Sequence, residues 1–238
     1  MFRFLVPILI LFSSLLADDL DDFTSEFETK EIFDPLSGYN RFMSDINDHI
    51  YVYALRPVAR GYKMALPKRI RTGVANVFHN LLFPIRLANN LLQGKLKNSL
   101  EESERFLLNS TVGFLGFWDV AEYRFGIKPH NEDFGQTLGH YGVGSGFHIV
   151  LPILGPSNLR DAISLYPDSL LSVINYDDHN RYTLTDSWGE YITARGVDGV
   201  NELSFRSDDI DKIRKSAVDL YPYIRDIYEQ HRDSLIKE

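Results

Sequence analysis

Gly144-Ser145-Gly146, with His140 five residues upstream of the serine, is the stretch where the residue types first suggest chemistry. A serine between glycines can be a nucleophile, a nearby histidine its base, and Asp133 or Asp161 the carboxylate that orients the imidazole. The flanking residues argue against it. Val143-Gly144-Ser145-Gly146-Phe147 is not the Gly-x-Ser-x-Gly of a nucleophile elbow. Gly142-Val143-Gly144-Ser145-Gly146-Phe147 ends in phenylalanine where a dinucleotide fingerprint needs glycine, and no strand-to-helix context surrounds it. His130-Asn131-Glu132 has metal-capable side chains but no second histidine at a ligand spacing. No catalytic residue, metal or cofactor is expected. What remains is backbone: Gly135, Gly139, Gly142, Gly144 and Gly146 lead into an apolar segment broken by Pro152, which reads as a shaped loop rather than filler.

The elements that would hold this loop are helical. Asp34 and Pro35 offer a cap and a first-turn proline, followed by a stripe of Tyr39, Phe42, Met43, Ile46, Ile50 and Tyr53 that should stop near Leu55, before Pro57. Pro67 opens a second helix with Ile70, Val74, Val77, Phe78, Leu81 and Leu82, and Pro84 breaks it and starts a third that Gly94 ends. Lys95 to Asn109 is a fourth. Thr111 to Trp118, apolar with two glycines, is a tight turn against something greasy. Short helices are expected over Ser157–Leu165 and Pro167–Tyr176, another from Asp186 through Arg195, and a C-terminal amphipathic helix kinked at Pro222. Asn40, Asn76, Asn80, Asn89 and Asn109 recur on these helices, where capping is the plainer expectation and cavity lining the sharper one.

Charge is uneven along the chain. Its 238 residues carry a formal net charge of −8, which makes nucleic acid an unexpected partner. Residues 1–17 have one basic residue and a short apolar run, the pattern of a signal peptide for export, and 18–33 form an acidic linker. Arg56 to Lys97 holds nine basic residues and no Asp or Glu, which points to an anionic contact. There is no cysteine, hence no disulfide framework and no thiol to carry a lipid.

Asp34-Pro35-Leu36-x-Gly38-x-Asn40-Arg41, Arg56-Pro57-Val58, Pro67-x-x-x-Arg71-x-Gly73-x-x-Asn76, Asn80-Leu81, Asn90-Leu91-Leu92-Gln93-Gly94 and Arg105-Phe106-x-x-Asn109-Ser110-Thr111-x-Gly113 precede the glycine-rich stretch in unbroken order. Together they resemble the MlaA (VacJ) family from Asp34 to Asp161. The resemblance implies a mainly α fold: a single ring-like helical domain over 34–205, embedded at the membrane, with a glycine-rich loop, followed by a C-terminal amphipathic helix over 206–238. It implies a non-enzymatic outer-membrane component of intermembrane phospholipid transport, facing the periplasm, that removes phospholipid mislocalised to the outer leaflet through an amphipathic channel. Implied partners are phospholipid, the outer membrane, a trimeric porin and an MlaC-like periplasmic lipid carrier. Gly142, Gly144 and Gly146 would be hinges of a gating loop, with Tyr141 packed beside them, and Asn40, Arg41, Arg71, Asn76 and Asn80 would be structural or line the lipid path. Family members carry a lipid on a cysteine, so the tether is not implied here. The alternative is a lipid-active hydrolase or acyltransferase using Ser145 and His140.

Overall fold

A computed structural model describes residues 34–175 and 183–238. The signal peptide and acidic linker expected over 1–33 lie outside the described residues. Helices α1 (Ser37–Ile50), α2 (Arg56–Ala65), α3 (Lys68–Leu81), α4 (Phe83–Leu92), α5 (Leu96–Thr111), α6 (Val120–Phe125) and α7 (Phe134–His140) come first. An antiparallel hairpin follows, β1 (His148–Leu151) and β2 (Gly155–Asn158), and then α8 (Leu159–Leu171), α9 (Trp188–Ser216) and α10 (Leu220–Ile236). Among the described residues no helix is long and apolar enough to cross a membrane.

Punctuation by proline and glycine holds where it was expected. Pro67 caps α3, Pro84 sits in the first turn of α4, and Gly94 ends α4 with φ of 72°. Five expectations fail, each for a local reason. Pro57 does not stop the first helix: Tyr51–Leu55 widens into a π-helical turn in which the Arg56 N–H reaches the Tyr51 carbonyl, and Pro57 falls in the first turn of α2, where no donor is needed. Helix α1 starts after Leu36 without a side-chain cap, so Asp34 is not its N-cap. Pro167 lies inside α8, one helix where two were expected. Helix α9 is capped by Ser187 and runs 29 residues, across the boundary expected at 206. The final break comes at 217–219, with Asp219 capping α10, so Pro222 sits in the first turn of a new helix instead of kinking an old one. The hairpin, in register from His148↔Asn158 to Leu151↔Gly155, was not anticipated.

The interior is polar. Tyr51, Ala59, Ala121, Val150, Ile174 and Tyr221 are the buried apolar residues among those described, and buried polar and charged residues outnumber them several-fold. The largest fully enclosed side chains are all polar, among them Glu102, Asn40, Asn89, Asn90 and Asn201. The expected apolar stripes are only partly covered: on α1 Met43, Ile46 and Ile50 are half-buried, Phe42 is 61% exposed, and Asn40 is fully buried. Helix α4 repeats this, with Leu91 and Leu92 half exposed and Arg86, Asn89 and Asn90 buried. A water-soluble fold reverses this arrangement, because apolar burial is its main driving force.

Buried polarity is tolerable only when it is hydrogen-bonded. Several of the asparagines meet that condition by bridging elements. Asn40 donates to the His148 carbonyl (3.0 Å) and accepts from Val150 N–H (2.9 Å), serving as an extra partner for β1. Asn109 links Asp119 (2.9 Å) to the Ala121 N–H (3.0 Å), and Asn89 links Asp168 (3.1 Å) to the Thr137 hydroxyl (2.8 Å). Arg71 donates to the Ser204 carbonyl and hydroxyl (3.2 and 2.8 Å), which ties α3 to α9.

Candidate functional site

Three features stand out: a charged anchor before the glycine-rich stretch, the loop itself, and a separate groove that the stretch does not line. The anchor joins α7, α8 and α10. Asp133 caps α7 by accepting from Gln136 N–H (2.8 Å), and Arg232 on α10 donates to both of its carboxylate oxygens (2.7 and 2.8 Å). The same guanidinium donates to Asp161 on α8 (3.0 Å), which also accepts from the Tyr228 hydroxyl (2.7 Å) and Arg160 Nε (3.0 Å). Burial would raise the Asp133 carboxyl, but the Arg232 hydrogen bonds and charge hold it below its ordinary range. Asp168 differs. It accepts from Phe134 N–H (3.1 Å) and Asn89 and pairs with no cation among the described residues, and burial pushes its carboxyl up to about 6. Asp133, Asp161, Asp168 and Arg232 line a cavity of about 330 Å³.

The loop leaves α7 at His140 and is bonded through its backbone to the end of α7 (Gly142 N–H to Gly139, 2.9 Å; Val143 N–H to Leu138, 3.0 Å) and to the start of α8 (Arg160 N–H to Ser145, 3.1 Å; Leu159 N–H to Phe147, 3.0 Å). The Tyr141 hydroxyl donates to the Leu92 carbonyl (2.5 Å) although its ring is 67% exposed, and Arg160 donates to the Val143 carbonyl (3.3 Å). Gly142 and Gly146 adopt φ of 84° and 73°, the left-handed region that glycine enters at little cost. Gly144 does not, and the space around Gly142 and Gly144 is open. A Cβ on Gly146 would lie 2.9 Å from Leu159 Cβ. The Ser145 hydroxyl contacts only the neighbouring Gly146 carbonyl (3.4 Å), and the His140 ring stacks edge-on against Tyr141, so among the described residues nothing joins the two into a nucleophile and base. Asp133 and Asp161, the other members of that arrangement, are committed to Arg232.

The remaining expected residues disperse. Arg41 pairs with Asp219 (2.7 Å) at the surface, Asn80 donates to the Ser110 hydroxyl (2.8 Å), and Asn76 donates to the Phe117 carbonyl (3.2 Å). Asn76 alone of the five lines the third feature, a groove of about 1380 Å³ between the start of α3, the end of α5, the 111–119 turn and α6. Close packing forms its floor: a Cβ on Gly73 would come within 2.6 Å of Phe117 Cδ2.

A family model described as MlaA lipoprotein matches residues 32–235. The chain belongs to the MlaA lipoprotein family. The intermembrane phospholipid transport system lipoproteins MlaA of Shigella flexneri and of Escherichia coli are each 34% identical over 205 residues, covering 84% of this chain and 77% of theirs. An uncharacterised Rickettsia bellii protein is 31% identical over 209 residues, 87% of this chain and 78% of its own. A solved chain from "Structural basis for maintenance of bacterial outer membrane lipid asymmetry" superposes with a TM-score of 0.72 at 31% identity, over 86% of this chain and all of that one. The mainly helical MlaA fold is therefore shared along nearly the whole described length. Arg232, Asp168 and Arg124 had no signal in the sequence, because charged residues there look like those of any solvated helix face, whereas Lys68 and Arg69 belong to the acid-free basic run.

Proposed function

We propose that the protein acts in intermembrane phospholipid transport at the outer membrane, without making or breaking a bond. In this reading it lies in the inner leaflet as a ring, takes phospholipid that has strayed to the outer leaflet along an amphipathic channel, and releases it to an MlaC-like carrier in the periplasm. The polar interior beneath an apolar exterior carries the proposal. Exposed apolar area on this scale is costly in water and favourable in lipid, and since no described helix spans, an interfacial position suits it. The names of the relatives support the same system, and a trimeric porin is the partner the family resemblance supplies.

Gly142 and Gly146, the two positive-φ glycines, are the hinges of the gate, with Tyr141 as its latch on Leu92. Gly144, with ordinary φ, contributes slack. Deleting the gene should raise outer-leaflet phospholipid, measured by an outer-membrane phospholipase or acyltransferase reporter, and the wild-type chain should restore it. Gly142→Ala should restore it incompletely or excessively while accumulating to normal levels. Unchanged asymmetry in the deletion would overturn the proposal. Release of most of the protein from native membranes by salt or carbonate washing would overturn the interfacial position.

A further inference from the structure

The acid-free basic run from Arg56 to Lys97 is mostly not an anionic contact, because the fold neutralises it from elsewhere. Arg56 and Arg60 share Asp211 (2.7 and 2.9 Å), Lys63 meets Asp208 (2.7 Å), Arg86 meets Glu102 (2.7 Å), Lys95 meets Glu132 (2.6 Å) and Lys97 meets Glu101 (3.4 Å). Arg71 is spent on the Leu66 carbonyl and Ser204. Two cations of the run are left, Lys68 and Arg69, adjacent at the start of α3. Both line the 1380 Å³ groove, and Arg124 of α6 lines it with them. No carboxylate among the described residues pairs with any of the three. The one acid in the groove, Asp119, is committed to Arg105 (2.6 Å), Asn109 and the cap of α6.

Apart from Thr72 and Asn76, the rest of the lining is apolar and aromatic, including Leu108, Val112, Trp118, Tyr123 and Phe125. Several of these are widely exposed: Trp118 by 59%, Phe125 by 62% and Tyr123 by 85%. An apolar trough with three uncompensated positive charges is complementary to one kind of molecule, an acyl chain ending in a negatively charged head. We infer that this groove is a phospholipid seat, in which Lys68, Arg69 and Arg124 hold the phosphodiester and the trough holds acyl chain. The inference rests on the transport reading and adds to it a binding site that no residue of the glycine-rich loop lines. Its floor is fixed by Gly73 under the Phe117 ring and by Asn76 on the Phe117 carbonyl, so the trough is preformed.

Trp118 reports occupancy directly. The chain has two tryptophans, so in a Trp188→Phe background the emission is that of Trp118 alone. Purified full-length protein in a neutral detergent is titrated with phosphatidylglycerol bearing brominated acyl chains. Saturable quenching is expected, weakened about tenfold or more in the combined K68Q/R69Q/R124Q variant and by raised salt. Brominated diacylglycerol, which lacks the phosphate, should bind both proteins equally weakly, and millimolar inorganic phosphate should not displace the phospholipid. Equal affinity of the triple variant for phosphatidylglycerol, or equal quenching by diacylglycerol, overturns the seat. Displacement by inorganic phosphate would make it a free-phosphate site and overturns it too. Gly73→Ala, which displaces Phe117 without touching a charge, should reduce quenching by both lipids alike. The transport reading is tested apart, by complementation of the deletion strain with the wild-type chain: a failed seat with intact complementation removes only this inference, and failed complementation removes the reading beneath it.

Discussion

Helix α7 and the loop that follows it are continuous in sequence and rich in glycine throughout, yet the fold treats the two halves in opposite ways. Gly135 and Gly139 are small because something is pressed against them: a Cβ on Gly135 would come 2.7 Å from Arg232 Nη2 and still closer to Asp161, and one on Gly139 would come 2.9 Å from Ile236 Cγ1. Gly142 and Gly144 face open space. The first pair lets three helices close on an ionic anchor, and the second pair has open space beside the backbone. Glycine content alone does not distinguish a packed position from an open one; the neighbours do.

Substitutions at the anchor and in the loop sharpen that contrast, and the largest effect is expected at Arg232. Arg232→Met strips the cation from the buried Asp161 and the half-buried Asp133 and should cost about 3 kcal/mol, seen as a lowered Tm and denaturation midpoint. A loss no larger than that of a surface arginine would show that the anchor does not hold the fold. Gly135→Ala should cost about 1–3 kcal/mol by overpacking the same node. Gly142→Ala meets no neighbour, but its φ of 84° puts a Cβ in the left-handed region at about 1–2 kcal/mol. Gly144→Ala should change stability by less than about 1 kcal/mol, with a slight gain from restricting the unfolded chain. If Gly144→Ala destabilises as much as Gly135→Ala, the two halves are not different in kind.

A further prediction is a slope with pH. Asp168 has its carboxyl raised from 3.8 to about 6 by burial, so between those values the unfolded chain releases this proton while the fold keeps it. Stability from this group therefore falls as pH rises from about 4 to about 6. Asp168→Asn keeps an acceptor for Phe134 and Asn89 and removes the titration. Its Tm relative to wild type should be higher at pH 7 than at pH 4; equal differences at both values would mean that the group is solvated.

Much of the helical scaffold was legible in advance. Proline and glycine act on their own residue or the next, so Pro67, Pro84 and Gly94 mark helix ends without knowledge of the fold. Pro57 misled, because the remedy for a proline, a π turn, is chosen by what the turn gains: here Tyr51 is brought onto α9, where its hydroxyl donates to the Ser207 carbonyl and to Asp211 (both 3.1 Å), and burial with that carboxylate raises its phenol to about 12. The hairpin was missed because its four-residue strands, Gly-Pro-Ser-Asn among them, are held by register with each other and by Asn40, about a hundred residues away.

The sequence by itself determined the family, the predominance of helix and the amphipathic stripes, since these rest on residue order and on a period of 3.6. It could not determine which side of a stripe faces inward, because periodicity separates two faces without naming either. Tertiary structure decided that the polar edges of α1 and α4 turn in, that carboxylates from outside the basic run pair with most of it, and that Lys68 and Arg69 of that run share a groove with Arg124. The physical reason is the same in each case: a charge or a glycine has a meaning only once its neighbour is known, and these neighbours come from far along the chain.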